Sequence, residues 1–304
     1  MTRHFLNLSD LGKGSLGAVL DKADELKAQR GSSAERPLLG KQIGLVFEKA
    51  STRTRLSLEI AVSELGGHPI VLTSSGSQMG RGEPVEDTAR VLGRMVHAIT
   101  LRTHDESRLL AMMKHSGVPV LNALSDQSHP MQLLADLQVM RARFGKLEGL
   151  ACAWVGDGNN MANSWIEAAS LTGFSLKLAC PVGFEPSSQW LEAARGQGAK
   201  IEVTNDPAQA VRGAQVVSTD VFTSMGQEDE SAARLKAFSG FLVDDQLMAQ
   251  ADPQAVVMHC LPAHRGEEIS ESVLEGPQSI VWDQAEARLH TAKAVLLWAL
   301  GLVP

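Results

Sequence analysis

The residues that could do chemistry fall into a few short runs. Ser51-Thr52-Arg53-Thr54-Arg55 combines hydroxyls with guanidinium groups. It follows an apolar run and opens an amphipathic one, so it sits where a strand gives way to a helix. Ser51 or Thr52 can cap that helix. The free N–H groups of the first turn and the helix dipole favour an anion there, and the side chains add charge-assisted hydrogen bonds. Taken alone, the run reads equally well as an ordinary capped helix with solvated arginines. Arg102, in Leu101-Arg102-Thr103, and His129-Pro130-Met131-Gln132 change that balance, because each follows another strand-like run. Three strand ends then bring anion or carbonyl partners to one rim. A second group suits an amino-acid ligand: Gly156-Asp157-Gly158-Asn159-Asn160, Asp220 to Gly226, and His259-Cys260-Leu261-Pro262. Asp220 can take an ammonium and Asn160 a carboxylate, with Ser224 able to bond either.

The elements that must carry these residues alternate along the chain. Strands are expected at 43–47, 70–72, 96–101 and 118–124, with helices at 54–65, 84–95, 107–115 and 129–144 between and after them. The pattern restarts with strands at 151–155, 176–179, 200–203, 216–219, 256–260 and 280–282, a helix running to Leu171, and a last helix from about Ala285 to Leu300. Strands separated by helices imply βαβ units and parallel sheets. The expected fold is α/β: two doubly wound parallel-sheet lobes with a cleft between them, linked by two helices. One lobe is residues 1–146 with 285–304, the other 147–284. Ligands in such sheets sit beyond the carboxyl ends of the strands.

Composition bounds the rest. The 304 residues are 44% hydrophobic and 21% charged, with a net charge of -7. That suits a packed core of two domains and makes a general nucleic-acid or acidic-membrane binder a poor fit. No apolar run is long enough for a transmembrane helix, and the start lacks a signal-peptide pattern. Cys152, Cys180 and Cys260 are odd in number and far apart. They suggest neither a disulfide framework nor a zinc site, and they fit a reducing cytoplasm.

Ser51-Thr52-Arg53-Thr54-Arg55, Arg102 and His129-Pro130-Met131-Gln132 together resemble the carbamoyl phosphate motifs of the aspartate/ornithine carbamoyltransferase family, and the resemblance spans nearly the whole chain. It implies that Ser51, Thr52, Arg53 and Thr54 bind phosphate, that Arg102 bridges phosphate and carbonyl, and that His129 and Gln132 address the carbamoyl group. Arg288 on the last helix resembles a family arginine at that same group; read blandly, it is a solvated arginine paired with Glu286 or Asp283. Gly76-Ser77-Gln78-Met79-Gly80 resembles the loop that reaches a neighbouring subunit, which implies Gln78 acting in trans and a homo-oligomer of trimers or their multiples. Asp220-x-x-x-Ser224-Met225-Gly226 with His259-Cys260-Leu261-Pro262 looks like the ornithine branch. That implies Asn160, Asp220, Ser224 and the Met225 backbone around the amino acid, with Cys260 and Leu261 near the carbamoyl group. The implied reaction transfers carbamoyl from carbamoyl phosphate to the δ-amine of L-ornithine, with no metal and no organic cofactor. Thr54, Arg102 and His129 would face the developing oxyanion, Cys260 near Asp220 would steer the proton, and the loop from Ser224 to about Arg234 would close as a lid.

Other readings stay open on sequence alone. The acceptor could be putrescine or N-acetylornithine, although Ser224-Met225-Gly226 speaks against both. Gly156-x-Gly158 could be a dinucleotide loop of a nicotinamide-dependent dehydrogenase, but the third glycine is missing. A non-catalytic homologue need not keep Arg53, His129 and Cys260 together. Cys260 could be a small buried hydrophobe, Asp220 a helix cap, and the Gln78 loop a flexible turn.

Overall fold

The computed structural model describes residues 2–32, 35–223 and 231–304. Contacts between residues divide the chain into two units, Met1–Gln138 with Glu286–Pro304, and Val139–Ala285.

In the first unit, α1 (Gly12–Ala28) precedes β1 (Gln42–Phe47), α2 (Arg53–Glu64), β2 (His68–Thr73), α3 (Val85–Leu92), β3 (Ala98–Arg102), α4 (Glu106–Ser116) and β4 (Val120–Leu124). The strands form one parallel sheet in the order β2-β1-β3-β4. The apolar runs of β1, β3 and β4 are buried, as parallel strands covered by helices require, and edge strand β2 is half-buried: Val46, Ile99, Leu101 and Val120 pack with Leu109 and Met112 of α4. β1 lies between β2 and β3, so the chain leaves it in opposite directions. That switch point opens a crevice at the carboxyl ends of β1 and β3, where Ser51–Arg55 and Arg102 stand.

α5 (Pro130–Phe144) carries the chain into the second unit. There β5 (Ala151–Val155), α6 (Asn160–Thr172), β6 (Ser175–Ala179), α7 (Ser188–Gly196), β7 (Ile201–Thr204), α8 (Pro207–Val211), β8 (Val216–Thr219), α9 (Ser231–Ala237), α10 (Asp245–Met248), β9 (Val256–His259) and α11 (Glu271–Leu274) follow one another. α12 (Val281–Ala299) returns the chain to the first unit. The sheet order is β7-β6-β5-β8-β9, all parallel. Here the switch point falls between β5 and β8. Gly156–Asn160 and Asp220 leave from those two strand ends.

The expected alternation of strands and helices is observed, with three local corrections. Residues 280–282 are not a strand. Ser279 makes only an isolated bridge to Val257, and Val281 already begins α12. A three-residue apolar run has too little length to tell an edge strand from a helix's first turn. The helix expected to reach Met95 stops at Leu92, with Gly93 at its C-cap. Thr52 holds the N-cap of α2 in helical conformation without a side-chain capping bond, so capping by this hydroxyl is not what starts the helix. Among the described residues, no helix is long and apolar enough to cross a membrane.

Candidate active site

In the first unit the predicted residues converge on the Thr54 hydroxyl. Thr54 is buried in the first turn of α2. Its Oγ1 accepts a hydrogen bond from Arg288 at 2.6 Å and a long one from Arg102 at 3.5 Å. Arg288 also donates to Gln132 Oε1 at 2.9 Å, and Gln132 Nε2 donates to Asp136 at 2.9 Å. The bland reading of Arg288, a solvated arginine paired with Glu286 or Asp283, is overturned: it is 6% exposed and bonded to these two groups. Because the Thr54 oxygen accepts from two guanidinium groups, its own proton is directed elsewhere, toward any acceptor that enters the cage.

His129 stands just before α5 and is 4% exposed. Its pKa lies well below the ordinary imidazole value, first through burial and then through the positive charges of Arg288, Arg102 and Arg53. It is therefore a neutral ring in a cationic cage. Ser51, Thr52 and Arg53 line the approach to α2, with Thr52 exposed. Gln78 is exposed in a 3-10 turn after β2 and is joined to none of the cage residues by a side-chain hydrogen bond.

Two carboxylates brace the loops that hold this cage. Glu48, directly after β1, receives Arg108 from α4 at 2.5 Å and the Thr103 hydroxyl at 2.5 Å. Its N–H also donates to the Arg102 carbonyl at 2.9 Å. Lys49, 8% exposed, pairs with Asp126 at 2.5 Å, and the Asp126 N–H donates to the His104 carbonyl. Each carboxylate has its own cation, so neither leaves net negative charge beside a site built for an anion. Sequence reasoning missed this brace, since Glu48 and Arg108 lie 60 residues apart.

The second unit gathers the acceptor residues. Asn159 caps α6 through Met161 N–H and Ala162 N–H, and its Nδ2 donates to Asp220 Oδ2 at 3.2 Å. The Cys260 thiol donates to Asp220 Oδ1 at 3.1 Å. Asn160 opens α6, beside this group in sequence. Cys260 and Leu261, predicted to address the donor's carbamoyl group, belong to this unit. Ser224, Met225 and the rest of the expected lid up to Glu230 lie outside the described residues. The described residues after Asp220, 221–223, are not helical, and its carboxylate, 7% exposed, takes Asn159 and Cys260, so it caps no helix among the described residues. Gly158 answers the dinucleotide-loop reading: a Cβ there would lie 2.3 Å from Pro186 N and 2.4 Å from the Glu185 carbonyl carbon. The glycine is needed for close packing of two loops, and Gly156 for its φ of +140°.

Arg234 and Glu268 were missed in this unit. Arg234 is 6% exposed, sits over the rings of Phe184 and Phe238, donates to the Phe222 carbonyl at 2.6 Å and pairs with Asp157. Burial pushes the Asp157 carboxyl up to about 6 against the pull of Arg234. His259 and Glu268 are both buried and bonded to each other. His259 was visible only as a flanking residue of the Cys260 motif.

Among the described residues, two groups have ligand atoms close enough to share a cation, Asp220 with His259 and Cys260, and His264 with Glu267 and Glu268. In the first, both His259 ring nitrogens are already engaged by Leu261 N–H and Glu268, so the ring offers no lone pair without losing one of those bonds. In the second, Glu268 Oε1 already accepts from the His264 N–H and faces His259.

Comparison with known proteins identifies the family. Residues 3–142 match the family model described as aspartate/ornithine carbamoyltransferase, carbamoyl-P binding domain, and residues 148–299 match its Asp/Orn binding domain. The chain is 54% identical to an ornithine carbamoyltransferase of Acidothermus cellulolyticus, covering 99% of this chain and 97% of that one. The ornithine carbamoyltransferase structure from Pyrococcus furiosus superposes with a TM-score of 0.94 at 42% identity, covering 99% and 97% of the two chains. The anabolic enzyme of Campylobacter jejuni gives 0.92 at 39% identity, covering 98% of each.

Proposed function

The chain belongs to the aspartate/ornithine carbamoyltransferase family, and from that premise we propose how its residues transfer the carbamoyl group of carbamoyl phosphate to the δ-amine of L-ornithine, giving citrulline and phosphate. The observation that carries the mechanism is the Thr54 hydroxyl held between Arg102 and Arg288 beside a neutral, buried His129.

In this reading the donor's phosphate takes the N–H groups of the first turn of α2, with Ser51, Thr52, Arg53 and Thr54. Gln78 of a neighbouring copy completes the grip. The carbonyl oxygen faces Thr54, Arg102 and His129, while Gln132, Arg288, Cys260 and Leu261 address the carbamoyl group. Ornithine places its α-amino group on Asp220 and Ser224, and its carboxylate on Asn160 and the Met225 N–H.

The attacking amine must be neutral. An alkyl ammonium with a pKa of about 10.4 costs roughly 4–5 kcal/mol to deprotonate near pH 7. Nearby cations and desolvation offset part of that. The C–N bond forms as the amine attacks, and the negative charge that develops on the carbonyl oxygen is met by the Thr54 proton, Arg102 and His129. The amine's proton passes toward Cys260 and Asp220, which already share a hydrogen bond. The C–O bond to phosphate then breaks, and Arg53 with the helix start stabilises the leaving dianion. The work is positioning and charge stabilisation.

Three finer readings go with this. A trimer, or a multiple of trimers, is supported by exposed Gln78 and by Leu56, Val91 and Met95, large apolar side chains that one chain leaves exposed. A cytoplasmic enzyme is supported by three cysteines that stand as thiols rather than in a disulfide. A role in arginine biosynthesis is supported by the likeness to the anabolic enzyme of Campylobacter jejuni.

The test is an acceptor panel. Carbamoyl phosphate with ornithine should give rapid turnover, and putrescine or N-acetylornithine should give rates at least a hundredfold lower. Comparable or faster transfer to either alternative would overturn the assignment of acceptor.

A further inference from the structure

The turn that presents Cys260 has a non-glycine residue at positive φ: Leu261, at +58°. Such a backbone is uncommon for a branched side chain and persists where neighbours hold it. Here the holder is His259, two residues back. The Leu261 N–H donates to His259 Nδ1 at 2.8 Å. Since Nδ1 accepts, the proton of a neutral ring must lie on Nε2, which faces Glu268 Oε1 at 3.1 Å. Glu268 is fully buried, and the same oxygen accepts the His264 N–H at 2.6 Å. The His259 N–H is fixed in turn by Gln284 Oε1 at 3.0 Å. Nothing in the proposed transfer uses either His259 or Glu268, yet both are buried, His259 beside the reacting thiol and Glu268 bonded to His259.

We infer that Glu268 and His259 are positioning residues for Cys260: Glu268 fixes the Nε2–H tautomer of His259, whose bare Nδ1 captures the Leu261 N–H and so holds the Cys260 thiol against Asp220. The arrangement follows the logic by which a carboxylate sets the tautomer of a functional histidine, with a backbone N–H in the place of a reacting group. The consequence for the reaction rests on the role given above to Cys260 and Leu261; the consequence for the thiol itself does not.

The thiol's proton is shared with Asp220, which suppresses the thiolate. Releasing the turn should free it. Cys152 and Cys180 are buried with their thiol pKa values driven upward by that burial, so iodoacetamide should label Cys260, and peptide mapping identifies the site. In the full chain, Glu268→Ala should be alkylated at Cys260 at least fivefold faster near neutral pH, with the pH midpoint moved down, while citrulline turnover falls at least tenfold. Glu268→Gln keeps an acceptor for the His259 Nε2–H, so it should return both readings to within about threefold of wild type. Wild-type alkylation rate and midpoint in folded Glu268→Ala would overturn the inference, even with activity lost. Conversely, altered alkylation in a protein whose wild type makes no citrulline would sink the reaction and leave the positioning role standing. Wild type supplies a reading independent of variant folding: the ring nitrogen shifts of His259 should report the Nε2–H tautomer, and an Nδ1–H tautomer would overturn the inference.

Discussion

Thr54 shows how neighbours can set up a modest side chain for the oxyanion role proposed for it. Two guanidinium groups occupy its lone pairs, so the direction of its proton is set before any substrate arrives. Thr54→Val keeps the shape and removes that proton. It should lower kcat by about 10²–10³, the usual loss for one preorganised donor; a fall of less than fivefold in steady-state assays would exclude the role. His129 works in the opposite electrostatic sense. Burial and three arginines depress its pKa, so the folded chain resists protonating it. Its contribution to stability is therefore present above the unfolded value of about 6.5 and lost as pH falls below it. Ring nitrogen shifts should report a neutral imidazole at pH 6, and a protonated ring there would refute the cage as described. Arg53, Arg102 and His129 were legible in the sequence because charged or titratable groups recur at successive strand ends. Glu48, Arg234 and Glu268 were not. Singly they read as solvated surface charge, and only the fold brings Thr103 and Arg108 to Glu48, or Phe184 and Asp157 to Arg234.

At the scale of elements, strand–helix alternation carried the reading because buried parallel strands leave continuous apolar runs, as in β1 and β5. It failed where an apolar triplet opened a helix, at Val281. What no local pattern could supply was strand order. Only with β1 placed between β2 and β3, and β5 between β6 and β8, do the motif-bearing loops fall at switch points. Loop packing is equally specific. Gly158 donates its N–H to the Phe184 carbonyl at 2.8 Å, and a Cβ at this glycine would come within 2.7 Å of that same oxygen. Gly158→Ala should force the loop away from Pro186 and cost about 1–3 kcal/mol. It should also raise the KM for ornithine more than that for carbamoyl phosphate, since Asn159 and Asp220 belong to the same cluster. Equal effects on both KM values, with an unchanged melting temperature, would contradict this account of the glycine.

For the whole molecule, stability and activity share some of the same groups. Asp157 is half-buried beside Arg234, and desolvation holds its carboxyl at about 6 against an ordinary 3.8. A raised carboxyl favours the folded state when protonated, so its contribution is complete below the unfolded value and is lost as pH rises through 6, by about 3 kcal/mol. Denaturant unfolding of wild type and Asp157→Asn at pH 4 and pH 7.5 should show wild type losing stability relative to the variant by about that amount. A difference independent of pH would mean Asp157 is not held as described. The proposed donor is a dianion, gripped at the opening of α2 within a cage of arginines in a chain whose net charge is -7. The most direct test is citrulline formation from saturating carbamoyl phosphate and ornithine by wild type and by Arg53→Ala. Wild type should turn over rapidly and the variant at least a hundredfold more slowly; equal rates, or none from wild type, would contradict the account.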